Sequence, residues 1–582
     1  MRWARGRLAI ILTLLASVLW TAGCVNVPTS GPIEVVEGQQ PPCQNCVNVE
    51  VAPPAPGDTP RQIVDGYLRA TSNYQPNYSV ARQFLTRMAA EKWSPEGSVS
   101  IYRGTVRPTG EKTVKLDGTV VGSLEKGRSY VARNQILRYG FVLAKENGQW
   151  RIEKAPPGLW VAEVSFKFFY QPYDLYFVGN GRSMVPDPIY LPALSNPANV
   201  ASALMKALLN GPSLWLKPAV STSIPPNTSL SVDSVTITDG IAEVQLGDSI
   251  LNLSDAQRSL LAAQIAFTLK QVGGVKGVVI KVNQQPYRVP GADPSSQVIL
   301  VDAISRDLAP IPSVAGEQAY AVKKGAVEQV TPSTDSPTSN PVPGPLGRAT
   351  DPVDAVAVSV TNTDLAVTTN GRTTLRRAPM TPGGSTTSLL NGATELLRPQ
   401  FSRYGEIWEV GKQGGRQRLW MFTPENTKHE ITSPVLQNVT AFKISPDGTR
   451  MALVRRTANG SELGLVRIIR SNQPTVEAWR VLDTSQSATP IRNIADVAWL
   501  DATNLLVLSR SEGSSTLFRV AHDASHISQK GEAQTWDADE LAVSPQTQSA
   551  IVVGSKGGTW KDDGNQWQPF LDHAVSSIAY PG

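Results

Sequence analysis

The feature that most restricts the fold of this chain is a coarse repeat in its C-terminal half. Short alternating segments recur there: Asp354-Ala-Val-Ala-Val-Ser, Pro399-Gln-Phe-Ser-Arg, Ala441-Phe-Lys-Ile-Ser-Pro-Asp-Gly, Asp496-Val-Ala-Trp-Leu-Asp, Glu540-Leu-Ala-Val-Ser-Pro and Ser576-Ser-Ile-Ala-Tyr-Pro. The period is roughly 36–56 residues. A second strand-like run follows each of the first five, at 364–368, 407–410, 450–454, 504–508 and 550–554. Each unit is too small to bury a face alone, and short antiparallel sheets stacked about an axis solve that problem as a β-propeller. The last opening segment has no successor, while a hairpin-like stretch at 318–330 precedes the first unit. Pairing the two closes the ring without leaving a free sheet edge. The expectation is an all-β propeller over 310–582 with six blades, five being the alternative. Within it, the Ser/Thr/Pro-rich stretch 331–352 reads as a loop.

The N-terminus imposes a second restriction. Arg2, Arg5 and Arg7 precede a 13-residue apolar stretch, 8–20, interrupted by Thr13 and Ser17. That is too short for a bilayer span, which needs about 20 residues, and has the layout of a secretory signal peptide. It ends in Thr21-Ala22-Gly23-Cys24, which resembles a lipobox. The resemblance implies cleavage after residue 23 and lipidation of Cys24 as N-palmitoyl, S-diacylglycerol cysteine. A single acyl chain holds only marginally, so the additional chains matter. The expected location is the extracytoplasmic face of the cell membrane, held by the lipid.

Removal of residues 1–23 leaves 559, enough for several domains. It also removes three of the 54 Lys and Arg and none of the 49 Asp and Glu, so the mature chain is close to neutral. No basic cluster follows the leader, which argues against nucleic acid or a strongly anionic surface as main partner. Residues 24–59 carry seven prolines and form a tether. A flexible tether of that length has an r.m.s. span of roughly 30–36 Å. Cys43 and Cys46, spaced C-x-x-C, are expected to pair with each other in an oxidising compartment. Zinc needs about four ligands, and no second Cys or His pair sits nearby.

Two smaller domains precede the repeat. Thr59-Pro60-Arg61-Gln62 is a capping box opening a helix. A second helical piece follows at 80–90, then strand-like runs at 98–106, 113–121, 129–137 and 139–145, with an Asn147-Gly148 turn before Trp150. This order, an α+β domain over 60–165, resembles the cone-shaped NTF2-like fold, and no Asp/His pair suggests catalysis in it. The second domain, 166–295, opens with aromatic strand candidates at 166–170 and 173–178 and another at 184–191. Asn199 is read as the cap of a helix that Asn210-Gly211-Pro212 stops. Strands at 230–238 and 241–246 flank an Asp239-Gly240 turn. Ser254 to Gln257 is a second capping box, Gly273-Gly274 ends its helix, and 277–282 closes the domain as a strand. The words ALMKALLNGP (203–212), SIPPNTSLSVDSVTITDGIAEVQLGD (223–248) and AAQIAFTLKQVGGVKGVVIKVNQQP (262–286) resemble the GerMN domain, a small α/β module without established catalytic residues.

No HExxH, P-loop or GxSxG occurs, and the four histidines, His429, His522, His526 and His573, all fall in the repeat region. His522 and His526 stand at i, i+4 in a strand end and loop, where a metal pair is not expected. Asp447 and Asp501 occupy similar turn positions in two units, and a capping role explains both. A nucleophile needs an adjacent base and an orienting group, and no such set is nominated. The chain is read as a non-enzyme with no cofactor and no metal.

The SPDG-TRMALV word at 445–454 resembles the blades of TolB-like propellers. Lipobox, proline-rich tether, α+β unit, GerMN domain and propeller, in this order, resemble the LpqB family of actinobacterial lipoproteins. That resemblance implies a partner: the extracytoplasmic domain of the sensor histidine kinase of the Mtr two-component system, whose output affects cell envelope and division. The alternative is an envelope lipoprotein that binds cell-wall glycan or peptide.

Overall fold

The computed structural model describes residues 51–582 apart from 126, 181–182, 305–307, 315, 333–335, 349, 487–490, 563 and 565. The leader, Cys24, Cys43, Cys46 and most of the tether lie outside the described residues.

The N-terminal domain starts at helix α1, Pro60–Ser72, where the Thr59 and Gln62 side chains cap each other's backbone as the capping box requires. The expected helix at 80–90 is two short ones, α2 (Ser79–Gln83) and α3 (Arg87–Lys92), the second capped by Thr86. Strands β1 (Val99–Gly110), β2 (Thr113–Leu124), β3 (Tyr130–Glu146), β4 (Gln149–Ile152) and β5 (Leu159–Ala162) form one sheet in the order β4-β3-β2-β1-β5, with β5 parallel to β1. The runs at 129–137 and 139–145 are thus a single strand. Gly140 lies inside it and pairs with Lys115, so the glycine does not end it. Asn147 and Gly148 both take positive φ at the β3–β4 turn, which the primed hairpin turn demands. Ile63, Tyr67, Leu116, Phe141 and Ile152 lie in the core between α1 and the sheet.

One expectation fails instructively. The aromatic run at 166–170 is not a strand; residues Glu163–Phe169 form helix α4. Alternation would put Phe166 and Phe168 on one face, yet Phe166 is 3 % exposed and Phe168 71 %. A helical turn instead stacks Phe166 with Tyr170 inside the N-terminal core and pairs Glu163 with Lys167 outside.

The second domain begins with a two-stranded hairpin, β6 (Tyr170–Gly179) and β7 (Ser183–Pro192). Helix α5, Pro197–Leu209, is capped by Asn196 and not by Asn199, because Pro197 suits the first helical position. Only Thr236–Thr238 (β8) of the run at 230–238 is a strand, turning through Asp239-Gly240 into β9, Ile241–Leu246. Helix α6, Asp255–Leu269, starts at the Ser254–Gln257 capping box and crosses over to β10, Gly277–Val282, parallel to β9. Both helices pack together, and α6 lies between β10 and the β6–β7 hairpin.

The C-terminal region is a β-propeller. Among the described residues it holds six four-stranded antiparallel sheets. The innermost strand of each touches the innermost strand of the next around a circle, from Val353–Val358 through Ser577–Ala579 and back. The C-terminal strand Ser577–Ala579 pairs with Ala319–Lys323, so one sheet is built from both ends of the region. The stretch 331–352 is not all loop. Thr338–Pro341 supplies that sheet's outermost strand, an edge position where Pro341 need not donate to a ladder.

Candidate functional site

The β6–β7 hairpin lies against one end of the propeller, where turns join first to second strands, and the contact is built from buried charge. Asp447 stands in the turn Ser445-Pro-Asp-Gly. Its Oδ1 accepts from Ser445 Oγ and Thr449 N at 2.8 and 2.7 Å, and its Oδ2 accepts from Arg450 Nη1 at 2.8 Å. The guanidinium also donates to the carbonyl of Pro186 on β7. The side chains of Arg450 and Asp447 are 1 % and 0 % exposed. Charges so placed are stable only when hydrogen bonds replace their lost water, and the carbonyl of Pro186 is one of those replacements.

Further bonds run along this seam. Ser183 Oγ and Tyr404 Oη lie 3.0 Å apart, Trp215 Nε1 donates to Ala478 O at 2.8 Å, and Arg467 donates back to Trp215 O at 2.6 Å. Arg470 pairs with Glu406 at 2.7 Å and lies over the Tyr404 ring. Tyr190 joins all three domains. Its ring packs on Tyr130 and Phe166 of the first domain, and its hydroxyl donates to Asp523 of the propeller at 2.9 Å. Asp174 on β6 faces the same seam. Burial first, then the nearby Asp501, pushes its carboxyl up to about 7.

The axial region is the second candidate. A cavity of about 420 Å³ opens there, lined among others by Arg372, Arg398, Asp496, Glu540 and Ser576. Arg398 reaches across the ring. It pairs with Asp496 at 2.7 Å and Glu540 at 2.9 Å, and donates to the carbonyls of Leu541 and Ile578. One guanidinium therefore ties four sheets together and takes up both carboxylates, leaving neither poised as a base. Lys443 lies close by, and burial, then the Arg398 charge, brings its ammonium down to about 7.

A third feature is apolar and exposed. Val164 and Phe168 stand at i, i+4 on α4, 67 % and 71 % exposed. They flank Glu163, which binds both Lys167 and, at 2.7 Å, Arg103 of β1. Ile136, 79 % exposed, is in register with Arg103 through Thr119, two strands away.

The singled-out residues do not converge on one site. Asp501 caps its turn, accepting from the backbone of Thr503 and Asn504. Asp447 does more than cap, since its second oxygen holds Arg450 in the seam. His522 is buried, packs near Trp499 and faces Thr503 O at 2.9 Å through Nδ1; burial lowers its pKa well below the usual range. Among the described residues no group of three or more His, Cys, Asp or Glu is placed to hold a metal. Arg450, Arg398 and Lys443 escape a sequence reading. Arg450 follows its turn word closely enough to be sought, but Arg398 meets Asp496 98 residues on, which no local pattern announces.

Three family models match along the chain. Residues 53–167 match the family model described as the N-terminal domain of lipoprotein LpqB, 174–288 one described as sporulation and spore germination, and 300–581 the lipoprotein LpqB beta-propeller domain. The chain is similar to lipoprotein LpqB of Cutibacterium acnes, 27 % identical over 97 % of this chain and 98 % of that one. Similarity to lipoprotein LpqB of Mycolicibacterium smegmatis is 29 % over 76 % and 78 %. Among solved structures, TolB from Acinetobacter baumannii aligns with a TM-score of 0.34 at 14 % identity, over 54 % of this chain and 84 % of that one.

Proposed function

Because the chain belongs to the LpqB lipoprotein family, we propose that it is a non-catalytic accessory regulator that acts by protein contact. Cys24 carries the lipid on the extracytoplasmic face, and the folded part binds the extracytoplasmic domain of the Mtr sensor kinase. The observation that supports contact is the exposed Val164–Phe168 pair beside the Arg103–Glu163–Lys167 ion pairs. Exposed apolar side chains rimmed by charge are what protein interfaces use as anchors. Such a patch on the domain that receives the tether is confined near a membrane-bound partner. Tethering raises the effective concentration of even a weak contact.

The test is crosslinking of the lipidated chain in intact envelopes, read by mass spectrometry for the kinase sensor domain. Enrichment over an unrelated lipoprotein is expected, and lost when Val164 and Phe168 both become Ser. Equal recovery with the unrelated lipoprotein would sink the proposal.

A further inference from the structure

Three tryptophans meet on the rim of the propeller. Trp560 and Trp567 lie on the outer strands Thr559–Asp562 and Trp567–Pro569 of one sheet, and Trp536 precedes that sheet's first strand, Ala538–Ser544. The register sets Trp567 opposite Asp562 and Trp560 opposite Pro569, so all four share one face. That face turns to the neighbouring sheet, whose outermost strand, Ile527–Gln534, sends Lys530 to Asp562 at 2.9 Å. Trp536 stacks on Trp560 with ring centroids 4.8 Å apart and meets Trp567 edge to face at 5.9 Å. The rings are half-buried, and none of the three indole N–H groups has a hydrogen-bond partner among the described residues. A polar cleft of about 490 Å³ adjoins them, lined, beside Gly513, by Asn493, Arg510, Ser511, Glu512, Asp537 and Ser555. Asp537 follows Trp536 in the chain, and Ser555 follows Gly554, where an added Cβ would lie 2.8 Å from the Trp560 ring.

We infer that the three tryptophans and the adjoining cleft form a binding site for a neutral glycan built of pyranose rings. A pyranose presents a face of C–H groups and a rim of hydroxyls. The electron-rich face of an indole attracts weakly positive C–H groups, and its N–H can donate to a hydroxyl. Hydroxyls both donate and accept, so a wall of mixed character suits them. Glu512 and Asp537 accept, Arg510 donates, and Asn493 does both. The same mixture disfavours a polyanion, because the cleft's one guanidinium stands beside two carboxylates and is already paired with Asp539. It disfavours a protein too. The core of a protein interface sheds charge, whereas no aliphatic side chain lines this cleft and Arg510, Glu512 and Asp537 do. The volume falls within the range of small-ligand sites, about 300–1,000 Å³. Packing alone accounts for the ring stack, but it calls for neither the free N–H groups nor the cleft beside them. The site is on the propeller, so it stands apart from the Val164–Phe168 patch and from the kinase reading.

Calorimetric titration of the full mature chain carrying Cys24→Ser with N-acetylchitohexaose and with cellohexaose tests this. Saturable binding of at least one hexamer is expected. Removing a stacking ring with W567A should weaken it roughly tenfold or more. The cleft variant N493A/E512Q, which changes two exposed side chains, should weaken it roughly fivefold or more through lost hydrogen bonds. W479A removes a half-buried tryptophan from another sheet and should bind like the parent. Absence of binding to either hexamer at millimolar concentration overturns the inference. So does unchanged affinity in both W567A and N493A/E512Q, and so does an equal loss in W479A. Thermal melts check folding, and N493A/E512Q carries the test alone if W567A melts early. Cosedimentation with purified wall sacculi, against flotation with vesicles bearing a glucosyl diacylglycerol, then separates a wall glycan from a lipid headgroup. Loss in N493A/E512Q is expected in whichever arm binds.

Discussion

Arg450 and Arg456 lie six residues apart on one propeller strand, Arg450–Thr457, about 20 Å along it. They have opposite surroundings. Arg450 is sealed in the seam, with Asp447 and the Pro186 carbonyl as its water substitutes, while Arg456 stands exposed at a hairpin end with no ion-pair partner among the described residues. At the seam end charge holds domains together, whereas at the hairpin end of this strand no second domain among the described residues covers Arg456. A side chain's chemistry is the same in both places, so what decides its role is which neighbour covers that end of the strand.

The largest effect is expected where covering is complete. Arg450→Met leaves Asp447 buried without its counter-charge, and removing one partner of such a pair costs about 3–5 kcal/mol. A denaturant midpoint shift of that order, with faster amide exchange across β6 and β7, is the expected result. The double variant Arg450→Met/Asp447→Leu should recover much of the loss. An Arg450→Met chain as stable as the parent would mean that the seam is wet and that the two ends differ less than their geometry says.

How far this division was legible in the sequence depended on the range of the interactions. Local signals read well: both capping boxes, the Asn147-Gly148 and Asp239-Gly240 turns, and the alternating strands of the repeat all act within a few residues. The aromatic run at 166–170 misled because apolar residues alone do not distinguish a strand from one helical turn; what settles it is that Tyr130 and Tyr190 pack on the ring of Phe166 while Phe168 stands in solvent. The seam and the axial cluster were not legible at all. Asp447 looked like a turn former because Pro186, its partner's acceptor, lies 264 residues from Arg450.

A middle-sized effect should appear as a pH dependence of the seam. Asp174 has a folded pKa of about 7, against an ordinary value near 3.9 for an unfolded chain. Between those values the folded chain holds a proton that the unfolded chain has released. Stability therefore falls as pH rises from about 4 to 7, and the full penalty is present above 7. The charges facing this carboxyl are Asp501, Asp187 and Asp523, with Arg450 opposing them. Asp174→Asn should raise stability most at pH 8 and hardly at pH 4, measured as the difference between urea midpoints at each pH. A difference that does not change with pH would show that the carboxyl stays ionised, and hence solvated, in the folded seam.

The smallest effect on stability belongs to the exposed patch, and there a null result carries the information. Val164 and Phe168 contribute little to the core, since α4 is held by Phe166 on its buried side. Replacing both with Ser should move the thermal midpoint no more than other surface changes do, within about 0.5 kcal/mol. If they anchor a partner, the same substitutions should abolish crosslinking to the sensor domain while leaving the far-UV circular dichroism of the chain unchanged. Retention of crosslinking with loss of stability would instead place Phe168 among the residues that hold α4 on the sheet, an outcome its 71 % exposure argues against.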